Sequence, residues 1–85
     1  MPPYHIYLQK RVYDVLAALG RSERSHILAF FHNLGADPFQ AHDYHESVEG
    51  FDVCVKVIGR HAVLYHVDHA AKEIKIADLR LADHV

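Results

Sequence analysis

The sequence predicts an α+β domain in the order β-α-α-β-β-β, a mostly antiparallel sheet with a helical hairpin packed on one face. Three observations predict it. Residues 59–79, GRHAVLYHVDHAAKEIKIADL, alternate with a period of two on either side of a short polar turn, as two half-buried antiparallel strands do. Two stretches with apolar residues at helical spacing come earlier, separated by Gly20. The chain has 85 residues, 51% of them apolar, which is room for one domain and enough for a core.

The elements follow in order. Pro2 and Pro3 suit an extended lead-in to a strand over residues 4–8, YHIYL, rich in aromatic and β-branched side chains. Val12, Val15, Leu16 and Leu19 mark one face of a helix over residues 9–19, and Gly20 stops it. Ser22 reads as the N-cap of a second helix, with Glu23 favourably placed at its positive end. That helix buries Ile27, Phe30, Phe31 and Leu34, and Gly35 reads as its end. The short connection forces the two helices antiparallel. Asp37-Pro38 opens a polar, His-rich segment read as irregular to Ser47. Residues 51–58 form a strand with Val53, Val55 and Val57 on one face. In the hairpin after Gly59, His61, Val63, Tyr65 and Val67 share a face, and Ile74 and Ile76 share one on the last strand. The sheet face away from the helices is left for solvent or a partner, and it offers a surface for homodimerisation.

Composition narrows the function classes. The single cysteine, Cys54, rules out an intrachain disulfide and suits a reducing, cytoplasmic setting. It sits in the apolar pattern FDVCVKVI and reads as a small buried side chain. The first residues lack a basic region followed by an apolar run, so no signal peptide is expected. No apolar stretch approaches the ~20 residues that cross a bilayer, so no membrane association is expected. The formal net charge is −2 with nine histidines counted neutral, unlike the basic footprint of a non-specific nucleic-acid binder. Acidification through the histidine range moves the charge towards positive.

The strand YHIYL, the helical hairpin ending in FFHNLGADPF and the block VKVIGRHAVLYHVDHAAKEIKIADLR together resemble the RelE/ParE toxin superfamily of bacterial type II toxin–antitoxin systems. Residues 34–38 look like the family's leucine, two residues, aspartate-proline exit from the second helix. Residues 63–68, VLYHVD, look like its aliphatic-aliphatic-tyrosine-x-valine-aspartate strand, and residues 74–79, IKIADL, like its last strand. The resemblance covers nearly the whole chain and implies one of two activities. RelE-like members cut messenger RNA, usually on the ribosome, using the substrate's own 2′-hydroxyl. ParE-like members inhibit DNA gyrase by binding. Both classes bind a cognate antitoxin. A third reading is a member that keeps the fold as a protein-interaction domain.

Cleavage by a 2′-hydroxyl needs a base, cations on the phosphorane and an acid for the leaving oxygen. The resemblance implies such groups on the exposed sheet face and at the C-terminal end, which here offer Lys56, Arg60, His61, Arg80 and His84. Arg60 and Arg80 suit bidentate phosphate binding. Where the family often has a histidine-arginine cluster after the last strand, this chain has Leu81-Ala82-Asp83. Tyr65 reads mainly as a packed sheet residue, with base stacking as its functional alternative. A second constellation joins His42, Asp43, His45 and Glu46 of the loop to His61, His66, Asp68 and His69 of the hairpin, for acid–base work near neutral pH or simply as loop and turn residues. HDYHE matches no established zinc spacing and no cysteine accompanies it, so no metal or organic cofactor is expected. His5, His26 and His32 carry no expected role. The carboxylates Asp43, Glu46, Glu49 and Asp52 would repel RNA, so substrate is expected on the Arg60 and Arg80 side.

Overall fold

The computed structural model describes residues 3–40 and 42–82. The elements are β1 (His5–Leu8), α1 (Lys10–Ala18), α2 (Arg21–Ala36), β2 (Tyr44–Val48), β3 (Phe51–Ile58), β4 (His61–Asp68) and β5 (Glu73–Leu81). They build one five-stranded sheet in the order β1-β5-β4-β3-β2. Only the β1–β5 pair is parallel; the other three pairs are antiparallel. The α+β class read from the sequence is the class observed, with one strand more than expected.

The helices lie on one face. Val12 and Leu16 of α1 and Ile27, Phe30, Phe31 and Leu34 of α2 pack on Val63, Tyr65, Ile74, Ile76 and Leu79. A side chain closes the first helix: Arg24 of α2 donates from Nε to the Leu16 carbonyl (3.0 Å) and from Nη2 to the Leu19 carbonyl (2.7 Å). The guanidinium thereby supplements the Leu19 N–H bond to the Leu16 carbonyl (3.2 Å), satisfies the Leu19 carbonyl and ties α2 to the end of α1.

Both ends of α2 differ from the sequence reading. Its N-cap is Gly20 rather than Ser22, because the Gly20 carbonyl already accepts from the Arg24 N–H (3.0 Å). Gly35 does not stop the helix but lies inside it. The stop comes at Asp37, whose non-helical backbone is what a following proline imposes. Gly35 serves packing instead: its carbonyl accepts from the Tyr4 N–H (2.9 Å), and a Cβ there would sit 3.3 Å from the Tyr4 carbonyl oxygen. Its missing side chain lets the chain entering β1 lie against α2.

The segment read as irregular contains β2. It pairs with β3 in the register Tyr44 to Val55 through Val48 to Phe51. The turn between them has positive φ at Glu49 (51°) and Gly50 (84°), the pattern of the tight turns that match strand twist. Glutamate is not a residue favoured at such a φ, and YHESV has no apolar alternation, so the hairpin was hidden. At the sheet edge a strand needs no second buried face.

A bulge interrupts β5. Leu64 pairs with Asp78 but Tyr65 pairs with Ile76, so Ala77 is the extra residue. Strict alternation would put Leu79 on the face opposite Ile74 and Ile76. The bulge restores Leu79 to the helix-side core and sends Arg80, paired with Ala62, to the open face. On that open face Val53, Val55, Ala62 and Leu64 form a second, smaller buried cluster with Ala82 packed against it. The centre of this face is thus shielded within the chain rather than wholly solvated.

Candidate functional site

The expected site residues fall at two ends of the sheet. At one end, the β3–β4 turn carries Arg60, β4 begins with His61, and β5 closes with Arg80. The backbone binds them together: the Ala82 N–H donates to the Arg60 carbonyl (2.8 Å), and Arg80 pairs with Ala62. The side chains, however, are held apart by different carboxylates. Arg60 is drawn to the helix side, where its Nη2 lies 3.1 and 3.3 Å from the two oxygens of Glu23 in the first turn of α2. Arg80 lies on the open face, its Nη2 2.8 Å from Glu46 on β2. A cleft of about 610 Å³ opens there, lined by Tyr44, Glu46, Ala62, Arg80, Leu81 and Ala82.

His61 is buried, 5% exposed. Its Nδ1 is 3.3 Å from Glu23 Oε2, but the direction is not that of a hydrogen bond. Glu23 therefore sits between an exposed arginine and a buried imidazole. Lys56 is half-buried on β3 opposite Val63, on the helix-side face of the sheet. Tyr65 is 1% exposed, with its ring edge against Phe30 at 5.9 Å, so its face is not available for stacking on a base. His84 lies outside the described residues.

His69 is at the other end. Eight residue steps separate it from His61, about 26 Å along β4. Its Nδ1 is 3.0 Å from the Tyr4 hydroxyl, and its ring stacks on Phe39 at 4.7 Å. Asp68 does turn work, accepting from the Ala71 N–H (3.0 Å), a bond that lowers its pKa. His69 and His66 nevertheless belong to a cluster. Together with His42, His45, Cys54 and Tyr65 they line a cleft of about 360 Å³. Of the histidines in that second constellation, the cleft brings together His42, His45, His66 and His69, and His61 lies at the other end of β4.

Burial pushes the Cys54 thiol pKa up, a hydrogen bond with Tyr65 partly offsets this, and Asp52 adds to the rise. Burial likewise pushes the Tyr65 phenol from 10 up to about 12, with Cys54 adding to the effect. The folded state holds this proton more tightly than the unfolded chain. Its contribution to stability is therefore full below pH 10 and is lost as pH rises through about 12. In an absorbance titration one tyrosinate is expected to appear only near pH 12 and to vanish in Tyr65→Phe, while the denaturation midpoint of the native chain falls over the same range.

Sequence reasoning missed Glu23 and Glu46 as partners of the two arginines. Glu23 was legible as a helix-start residue, but its contact with Arg60 spans 37 positions. Glu46 became visible only with β2, whose pairing with β3 brings it to the open face beside Arg80.

The arrangement of sheet and helical hairpin is the fold seen in RelE toxins. The isolated RelE toxin of E. coli superposes with a TM-score of 0.74 at 13% identity, over 96% of this chain and 87% of that one. A chain of the archaeal RelE–RelB complex from Pyrococcus horikoshii OT3 gives a TM-score of 0.83 at 24% identity, over 100% of both chains. A chain of the toxin–antitoxin complex RelBE2 from Mycobacterium tuberculosis gives 0.73 at 17% identity, over 93% of this chain and 98% of that one. No protein-family model and no curated protein sequence matches the chain.

Proposed function

We propose that this chain is the toxin of a type II toxin–antitoxin pair and that it arrests translation by cleaving messenger RNA. The observation that carries the reading is Arg80, turned by the β5 bulge onto the open sheet face of a RelE-like fold, above the 610 Å³ cleft and beside the Arg60 turn. Arg80 and Arg60 would grip the scissile phosphate. The ribose 2′-hydroxyl attacks phosphorus and loses its proton, and the 5′-oxygen leaves and gains one. The products are a 2′,3′-cyclic phosphate and a 5′-hydroxyl. Proton transfer falls to His61 and His84. No cofactor enters this chemistry. Two of the similar structures are complexes with an antitoxin, and a cognate antitoxin is the partner proposed here.

The test is to add the purified chain to messenger RNA programmed on ribosomes and to map fragment ends. Cleavage with cyclic-phosphate and 5′-hydroxyl ends supports the reading; intact message with folded protein contradicts it. A second reading, a protein-interaction domain that retains the fold, is favoured by one observation: both arginines are already paired with carboxylates. Glu46→Gln separates the two. On the nuclease reading it frees Arg80 for phosphate, tightens single-stranded RNA binding and steepens the salt dependence by about 0.7 in log K against log salt. Anisotropy titrations at several salt concentrations measure this, and an unchanged slope would favour the interaction domain.

A further inference from the structure

We propose that His42, His45 and Cys54 form a zinc site. One ligand atom from each lies within 4.8 Å of the others. His42 Nε2 and His45 Nδ1 are 3.4 Å apart, and the two nitrogens of a tetrahedral zinc site, at ~2.0–2.1 Å from the metal, are about 3.3–3.4 Å apart. One edge of the tetrahedron is thus already set. The thiol closes on it by side-chain rotation, to the ~2.3 Å of a zinc–sulfur bond.

The sheet builds the site. HDYHE lacks a cysteine in sequence, but pairing of β2 with β3 puts Cys54 directly opposite His45. His42 is held close because its neighbour Asp43 extends the ladder, donating from its N–H to the Val55 carbonyl (2.9 Å) and accepting from the Val57 N–H (2.6 Å). Tyr65 stands opposite Cys54 in the β3–β4 ladder, on the core side of the site. His45 is exposed, which gives an ion a path in, and the fourth position faces the 360 Å³ cleft beside Asp52 and His66. Two imidazoles and a thiolate are a borderline-soft set that suits zinc over magnesium or calcium. The site stands apart from Arg60 and Arg80, so it is independent of the nuclease reading and would clamp the edge strand β2 to the sheet.

The test uses the full chain without a histidine tag, stripped by chelator. Zinc is titrated against a chromophoric competitor, and cobalt serves as a spectroscopic probe of the ligands. Expected are one zinc per chain with a Kd below about 1 μM, and a thiolate-to-cobalt charge-transfer band. Cys54→Ser should abolish the band, and His42→Ala or His45→Ala should weaken zinc at least about tenfold, while His26→Ala and His32→Ala leave it unchanged. Because Cys54 borders the core, the His42 and His45 variants, whose folding is checked by circular dichroism, decide the matter if Cys54→Ser fails to fold. A Kd above that value, no thiolate band in the native chain, or affinity unmoved by His42→Ala and His45→Ala overturns the proposal.

Discussion

Arg80→Ala is expected to lower messenger-RNA cleavage by about 10²–10³-fold while the domain stays folded. That is the cost of removing one preorganised donor from a developing anionic charge. Arg80 is the cation at this end of the open face, and its place there depends on the extra residue in β5. Its pair with Glu46 leaves it half-exposed, and such pairs contribute about 0–1 kcal/mol, so stability should barely move. Arg80→Lys should recover only part of the activity, because an ammonium lacks the planar fork that grips two phosphate oxygens. Fragment-end mapping on ribosomes, beside a thermal melt of each variant, separates lost chemistry from lost fold. Undiminished cleavage by folded Arg80→Ala protein would place the chemistry elsewhere, with the histidine cleft at the far end of β4 the next region to test.

Ile76→Ala is expected to be the most damaging single truncation in the sheet. Ile76 is fully buried on β5, between Leu8 of β1 and Tyr65 of β4, beneath the helices. Removing such a side chain costs about 2–5 kcal/mol, from lost transfer energy and the cavity left behind. A domain of this size holds only about 4–13 kcal/mol in total. At about 4–8 °C per kcal/mol, the melting temperature should fall by more than about 10 °C. Val57→Ala, at an exposed position on β3, two strands away, should change it little. A loss below about 1 kcal/mol for Ile76→Ala would contradict a core centred on β5.

The sequence carried the fold where periodicity was strong. Val12, Leu16, Ile27, Phe30, Phe31 and Leu34 announced the helical face, and Val63, Tyr65, Ile74 and Ile76 announced the sheet face they cover. It carried less where context decides. A short polar edge strand has no apolar signal, and a glutamate at positive φ does not look like a turn. Gly35 looked like a helix end because a glycine needed for close approach reads the same as one needed for a left-handed cap. The site was legible as residue types but not as groupings. Arg60 and Arg80 lie at the same end of the sheet, but their side chains are parted by Glu23 and Glu46, contacts across more than 30 positions. Likewise Cys54 and His45 meet only through strand pairing, which no linear spacing rule encodes. No helix among the described residues is long and apolar enough to cross a bilayer.

Inducible expression in a bacterial host, with growth and message integrity followed after induction, tests the toxin assignment most directly. Rapid arrest of protein synthesis with cleaved messages is expected, relieved when Arg80→Ala is expressed instead. Arrest with intact messages and damaged DNA would contradict the nuclease and point to gyrase. Normal growth with abundant folded protein would contradict the toxin assignment itself and leave the fold as a scaffold for a protein partner.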